Sequence, residues 1–229
     1  MKLRRILSDR KLIFNIYSGL ACFCCVLGLV LQAHRSLTSA FPIPYFLVNF
    51  IYFTTQSNIL VLTVLISHFT RLNNSAFHSV LAHISLANII ITAVVFHLFL
   101  GPYMTLSIVQ HMLHTVTPIL YLTYYFLSQI PYLKLHRVWV FSIYPTLYSL
   151  LIYALIHPLF SDTLRMVQGD FQGASYVYPF YDPYFYDFQF WRMLLFFSLS
   201  IILMTFIIYF LTQPLKKYAY NKEELTLLD

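Results

Sequence analysis

Thr54, Thr55, Gln56, Ser57 and Asn58 form an unbroken polar run between two apolar stretches, PIPYFLVNFI before and ILVLTVLI after. Further along, HMLHTVTPIL sets His111, His114 and Thr115 in a similar apolar frame. Polar side chains in hydrocarbon must find partners, because no water is there to take them. A threonine hydroxyl becomes a nucleophile when a base takes its proton, and a histidine with a pKa near 6.5 suits that task. Thr54 and His114 together could therefore perform acyl transfer as a hydroxyl–imidazole dyad. Ser57, Asn58 or a tyrosine could orient the base, and the amides of Asn58 or Gln56 could donate to a developing oxyanion.

The elements that would hold these groups follow from composition. The chain has 229 residues, 59% hydrophobic and only 10% charged, whereas a soluble domain is roughly a quarter charged. The expected class is an all-α membrane protein. Six apolar segments of about 20 residues, near 12–33, 46–70, 78–100, 106–128, 137–160 and 190–211, are each long enough to cross a core of about 30 Å. Runs such as NIIITAVVFHLFL do not alternate as membrane strands would. The reading is one integral membrane domain over 1–229, a six-transmembrane-helix bundle.

Orientation follows from Lys and Arg. Lys2, Arg4, Arg5, Arg10, Lys11, Arg71, Lys134, Arg137, Lys216, Lys217 and Lys222 fall on one side, and Arg35, Arg165 and Arg192 on the other. Both termini are thus expected in the cytoplasm. The net charge of +6 is this topology signal and gives no reason to invoke nucleic acid. The N-terminal stretch is basic and then apolar, but the apolar run continues to about Leu31 without an A-x-A site, so the first helix is expected to be uncleaved. Cys22, Cys24 and Cys25 all lie within it and cannot form a disulfide framework.

One loop is long. Residues 161–189 carry Asp162, Asp170, Asp182 and Asp187 with a dense Tyr/Phe run. The simpler reading is an aromatic belt at the membrane interface; the other is a lid over an outward-facing cavity. Between Asp9 and Asp162 there is no Asp or Glu, which argues against ion-coupled transport and against a carboxylate-rich metal site in the bundle.

Depth brings the polar groups together. Thr54 lies about eight residues into a span that enters from outside, or about 12 Å at 1.5 Å per residue. His111 and His114 lie about five and eight residues into the fourth span, which also enters from outside. Thr54 and His114 are thus expected at one level, within about 5 Å of each other, allowing for loose unliganded geometry. Thr54, Ser57 and Asn58 share a helix face at i, i+3 and i+4. His111, His114, Thr115, Pro118 and Tyr121 share another. Pro118 has no N–H for the carbonyl of His114 and is expected to kink the helix. Three readings remain open on these residues alone: polar glue between helices, a Thr–His catalytic dyad, or a haem or zinc site built from His83, His97, His111, His114 and His157.

The blocks YFTTQSNIL, HMLHTVTPILYL and YVYPFYD, in that order, resemble the androgen-induced-gene family of six-span membrane threonine hydrolases, and more closely its prokaryotic branch. The resemblance implies hydrolysis of fatty acid esters of hydroxy fatty acids within the membrane, with no cofactor and a membrane lipid or fatty acid ester as partner. It implies location in a prokaryotic cell membrane as a multi-pass protein. The family Thr matches Thr54 and the family His matches His114; His111 matches a second histidine without an assigned role. Ser57, Asn58 and His111 are the expected substrate-binding residues beside the dyad. The adjacent Thr55 leaves the nucleophile assignment open by one residue.

Overall fold

The computed structural model describes residues 2–103, 106–184 and 190–228. The described residues form helices and no strand. The helices are α1 (Lys2–Leu37), α2 (Pro42–Ile51), α3 (Phe53–His68), α4 (Ala76–Val95), α5 (Ile108–His111), α6 (Thr117–Leu127), α7 (Ile143–Leu151), α8 (His157–Gln168) and α9 (Phe190–Leu228). Four continuous helical runs, Arg10–Leu37, Ala76–Leu100, Leu135–Gln168 and Trp191–Tyr218, are long and apolar enough to cross a membrane, and the bent pair α2–α3 adds up to a fifth. Leu195, Phe196, Leu199, Leu203, Phe210 and Leu211 on α9 are exposed, as side chains facing lipid are.

Two features depart from the straight spans read in the sequence. The first is the second span, which is broken. Tyr52 is extended (ψ 132°) and α3 sets off at 66° to α2. A break in hydrocarbon exposes carbonyls, and those must be satisfied by protein. Gln56 Nε2 donates to the Phe50 carbonyl at 2.7 Å, and the Tyr148 hydroxyl donates to that of Ile51 at 2.9 Å. Tyr144 in turn donates to Gln56 Oε1 at 2.6 Å. Gln56 is therefore a strap across the bend.

The second feature is a set of three π-helical segments: Phe96–Leu100, Met112–Val116 and Ile152–Ile156. Each is followed by a residue preceding proline: Gly101–Pro102, Thr117–Pro118 and His157–Pro158. Proline cannot donate to the ladder, and a wider turn just before it is one way the backbone adjusts. The kink expected at Pro118 takes this form. The Thr117 N–H reaches back five residues to the Met112 carbonyl. Leu113 would then need the N–H of Pro118, which does not exist. Its carbonyl is therefore an acceptor left over beside the proline. Asn58 Nδ2 donates to it at 3.2 Å.

The core sits mainly among α1, α3, α4 and α6, around Val61, Val64, Leu65, Leu86, Tyr121 and Tyr125. A second cluster joins α2, α7 and α8 to the outer loop through Val48, Phe53, Tyr148, Ile152, Val177 and Tyr181. Helix α8 runs to Gln168, so the loop begins at Gly169 rather than at 161. Asp187 lies outside the described residues. Gly173 turns the loop with φ +86°, where a Cβ would meet the Pro179 Cα at 2.9 Å; only glycine suits that backbone and that approach.

Candidate active site

Thr54 is the second residue of α3, held there by the break at Tyr52. Its Oγ1 lies 3.1 Å from His114 Nε2. His114 belongs to the π segment between α5 and α6. Its Nδ1 is 2.9 Å from the Gln110 carbonyl oxygen. A carbonyl only accepts, so Nδ1 carries the proton and Nε2 offers its lone pair to the Thr54 hydroxyl. This is the tautomer a general base needs. Gln110 is itself fixed: Ser107 Oγ accepts from the Gln110 N–H, and the Gln110 side chain accepts from the Ser107 N–H at 2.8 Å, a reciprocal pair at the helix start. The Phe96 ring stacks on the imidazole at 3.8 Å, nearly parallel at 16°. Proton position and ring face are thus set by two different residues, Gln110 and Phe96.

Thr54 is half-buried, whereas Thr55 is buried and its hydroxyl has no partner among the described residues. One helical step separates them, and only Thr54 meets the histidine. Asn58 does not present a free amide. Its Nδ2 donates to the Thr54 carbonyl at 2.8 Å and to Leu113 across the interface, which ties α3 to the π segment carrying His114. The expectation that Asn58 donates to an oxyanion is corrected on this point, since both hydrogens of its amide nitrogen go to backbone carbonyls; Gln56 Nε2 gives one of its two to Phe50. His111 is exposed and does not share the buried setting of His114. Ser57 is buried with its hydroxyl unpartnered.

The donors that sequence reasoning missed are main-chain. The first N–H groups of a helix have no acceptor within it. In α3 the Gln56 N–H is the first to close a helical bond, to the Tyr52 carbonyl at 3.2 Å. The Tyr178 ring lies 6.0 Å from that of Tyr52 and packs in the cluster that holds Phe53, which brings its phenol near the Phe53 and Thr54 N–H groups and the Thr54 side chain. The aromatic loop therefore folds over the dyad. Burial raises the Tyr178 phenol above its ordinary pKa, while the Thr54 hydroxyl and the two N–H groups pull the other way. The phenol stays neutral at physiological pH and can donate. A helix break has no proline or glycine signal at Tyr52, so nothing in the sequence announced these donors.

The histidines do not assemble a metal site. Among the described residues no group of three or more His, Cys, Asp or Glu stands close enough to hold an ion. His97 bonds to Thr115 Oγ1 at 3.0 Å, and His157 stacks on Tyr176 with Nδ1 3.2 Å from the Ser175 carbonyl. His83 lies far along α4 from His97, its Nδ1 2.6 Å from the Ser79 carbonyl. Compared with models of protein families, with characterised proteins and with solved structures, the chain matches none.

Proposed function

We propose that this chain is an intramembrane hydrolase of lipid esters, acting through an acyl-enzyme on Thr54 with His114 as base. The observation that carries the reading is the 3.1 Å approach of Thr54 Oγ1 to a His114 Nε2 whose lone pair is directed there by the Nδ1–Gln110 bond. Its components would act in order. His114 Nε2 takes the proton as Thr54 Oγ1 adds to the ester carbonyl carbon. The carbonyl oxygen becomes an oxyanion near the start of α3, where main-chain N–H groups and the Tyr178 hydroxyl are donors and the helix end is positive. Collapse expels the alcohol, which takes the proton from His114. Water then repeats the sequence on the acyl-threonine and releases the acid.

The resemblance to the androgen-induced-gene family supports the same pair and points to fatty acid esters of hydroxy fatty acids as the substrate class. On this reading the helical stretch Ile108–Leu127 is a further crossing. Its polar His and Thr residues are the site itself. Counted with the five others it gives six spans with both termini cytoplasmic, in a prokaryotic cell membrane. The acyl chain would enter sideways from the bilayer, past the exposed apolar faces.

The test is labelling of purified protein with a fluorophosphonate. Wild type and Thr55→Ala should label, and Thr54→Ala and His114→Ala should not. Labelling that survives Thr54→Ala, or no labelling of a folded wild type, would refute the dyad.

A further inference from the structure

A hydrolase in hydrocarbon must hold water, and the structure offers a place for it that is distinct from the outer loop. Asn88 on α4 is fully buried, and neither its Nδ2 nor its Oδ1 has a partner among the described residues. The Thr92 hydroxyl, one turn further out and 3% exposed, is likewise unpartnered. Leaving such groups dry is costly, because a buried donor or acceptor without a partner keeps its full desolvation penalty. The facing helices hold more. Ser67 Oγ lies 2.6 Å from His78 Nδ1 and fixes the antiparallel register of α3 and α4. Ten residues outward on each helix, Ser57 comes level with Asn88; four more bring Thr92 level with Phe53 and Thr54. On α6, Thr117 stands three residues beyond His114, as Ser57 stands three beyond Thr54. The Ser57 hydroxyl and Asn58 Oδ1 are buried and unpartnered. Thr117 Oγ1 is buried and unpartnered among the described residues, and the Cys25 thiol donates to the Asn58 carbonyl.

We propose that Ser57, Asn58, Asn88, Thr92 and Thr117 form a hydrated chamber that extends from the level of the dyad one turn inward, and that its water is the second substrate of the proposed hydrolysis. Amide and hydroxyl groups with spare donors and acceptors are what buried water bonds to, commonly with about three partners. The chamber leads to the base: Asn88, Thr92 and Phe96 stand at i, i+4 and i+8 on one face of α4, and the Phe96 ring lies on His114. Tyr178 covers Thr54 from outside, so water held within the bundle reaches the acyl-threonine from the opposite side. In that step the water oxygen adds to the acyl carbon while one of its protons passes to His114 Nε2. The carbon–Oγ1 bond of Thr54 then breaks, Oγ1 recovers that proton, and the free acid leaves. Asn88 and Thr92 act through the water and are positioning residues.

The chamber and its role, which rests on the hydrolase reading, are tested separately. Radiolytic hydroxyl-radical footprinting of the protein in nanodiscs reads bound water whatever the activity. Phe96 is only 2% exposed, yet it should be oxidised in wild type, and severalfold less in Asn88→Leu and in the isosteric Thr92→Val. No oxidation of Phe96 in wild type, or equal oxidation in all three, overturns the chamber. For the role, both variants should keep fluorophosphonate labelling of Thr54 within about twofold while ester turnover falls about tenfold. Intact-mass spectra should then show the acyl-enzyme accumulating. Turnover at the wild-type rate in both variants overturns the role. A wild type that neither labels nor turns over refutes the hydrolase reading instead, and the footprint still decides the chamber. If Asn88→Leu does not fold, Thr92→Val carries both measurements.

Discussion

The two ends of the bundle are built on opposite plans. At the inner end, polar groups are spent on backbone. Lys216 is buried, and its ammonium donates to the carbonyls of Tyr125, Phe126 and Ser128 at the close of α6. Gln213 accepts from the Leu133 N–H at 2.7 Å and donates to the Tyr125 hydroxyl at 3.1 Å. A cation on helix C-terminal carbonyls is favoured by the charge at that end. At the outer end the helices are interrupted: α2–α3 breaks at Tyr52, and three π segments precede prolines. Buried polar atoms without partners among the described residues occur at both ends, Ser57, Asn88 and Thr92 at the outer and His78 Nε2, His83 Nε2 and the Tyr124 hydroxyl at the inner. The inner end resembles a fastening and the outer end a workplace. Irregular backbone in a membrane persists only where protein or water satisfies it, so the break at Tyr52 and the π segment at His114 support the proposed site independently of residue type.

The contrast can be broken by substitution. The largest effect belongs to the dyad. Thr54→Ala or His114→Ala should each lower ester turnover by roughly 10³-fold, with the double variant no worse, because residues acting as a unit are not additive. A double variant falling far below both singles would mean that they act apart. Next comes the inner fastening: Lys216→Met should lose about 2 kcal/mol in denaturant unfolding, since it strands carbonyls that a charged donor now satisfies. Labelling of Thr54 per folded molecule should stay unchanged. If labelling falls as well, the two ends are not separable.

Third is the loop. Tyr178→Phe should lower kcat about tenfold with KM held, the mark of a donor used in the transition state. A raised KM with kcat intact would reduce the loop to a binding surface. The raised phenol pKa sets the direction with pH: the donor is present at neutral pH and is lost only as pH climbs past the ordinary tyrosine value of about 10. Activity in wild type should therefore show no tyrosine-dependent fall between about pH 7 and pH 10. The smallest effect is that of Thr55→Val, which should label Thr54 within about twofold of wild type, because the Thr55 hydroxyl touches neither the base nor the bend.

Much of this arrangement could be read in the residues. Hydropathy located the helices, and depth counted from the charge bias put Thr54 and His114 at one level. Those signals are averages over many residues, and they tolerate an error of a turn. What could not be read depends on single backbone states. Tyr52 adopts an extended conformation with no glycine or proline to mark it, so the span looks continuous in sequence. Pro118 announces a disturbance, but the freeing of the Leu113 carbonyl for Asn58 depends on a π turn that only the packed helices select. The Tyr/Phe run reads equally well as an interface belt, and its folding over Thr54 rests on one turn at Gly173.

The Gln110 carbonyl that orients His114 carries no net charge. In a triad a carboxylate at that position would stabilise the imidazolium; a neutral dipole stabilises it less. Once His114 accepts a proton, its chief counter-charge on the proposed pathway is the oxyanion that forms in the same step. Positive and negative charge then arise together and vanish together, and where screening is weak each is held chiefly by the other. Leaving groups that depart readily suit this economy of charge. An alkoxide that picks up its proton at once meets the requirement, whereas an amine that must be protonated before it departs does not. On the proposed pathway a main-chain oxygen in place of a carboxylate favours esters over amides.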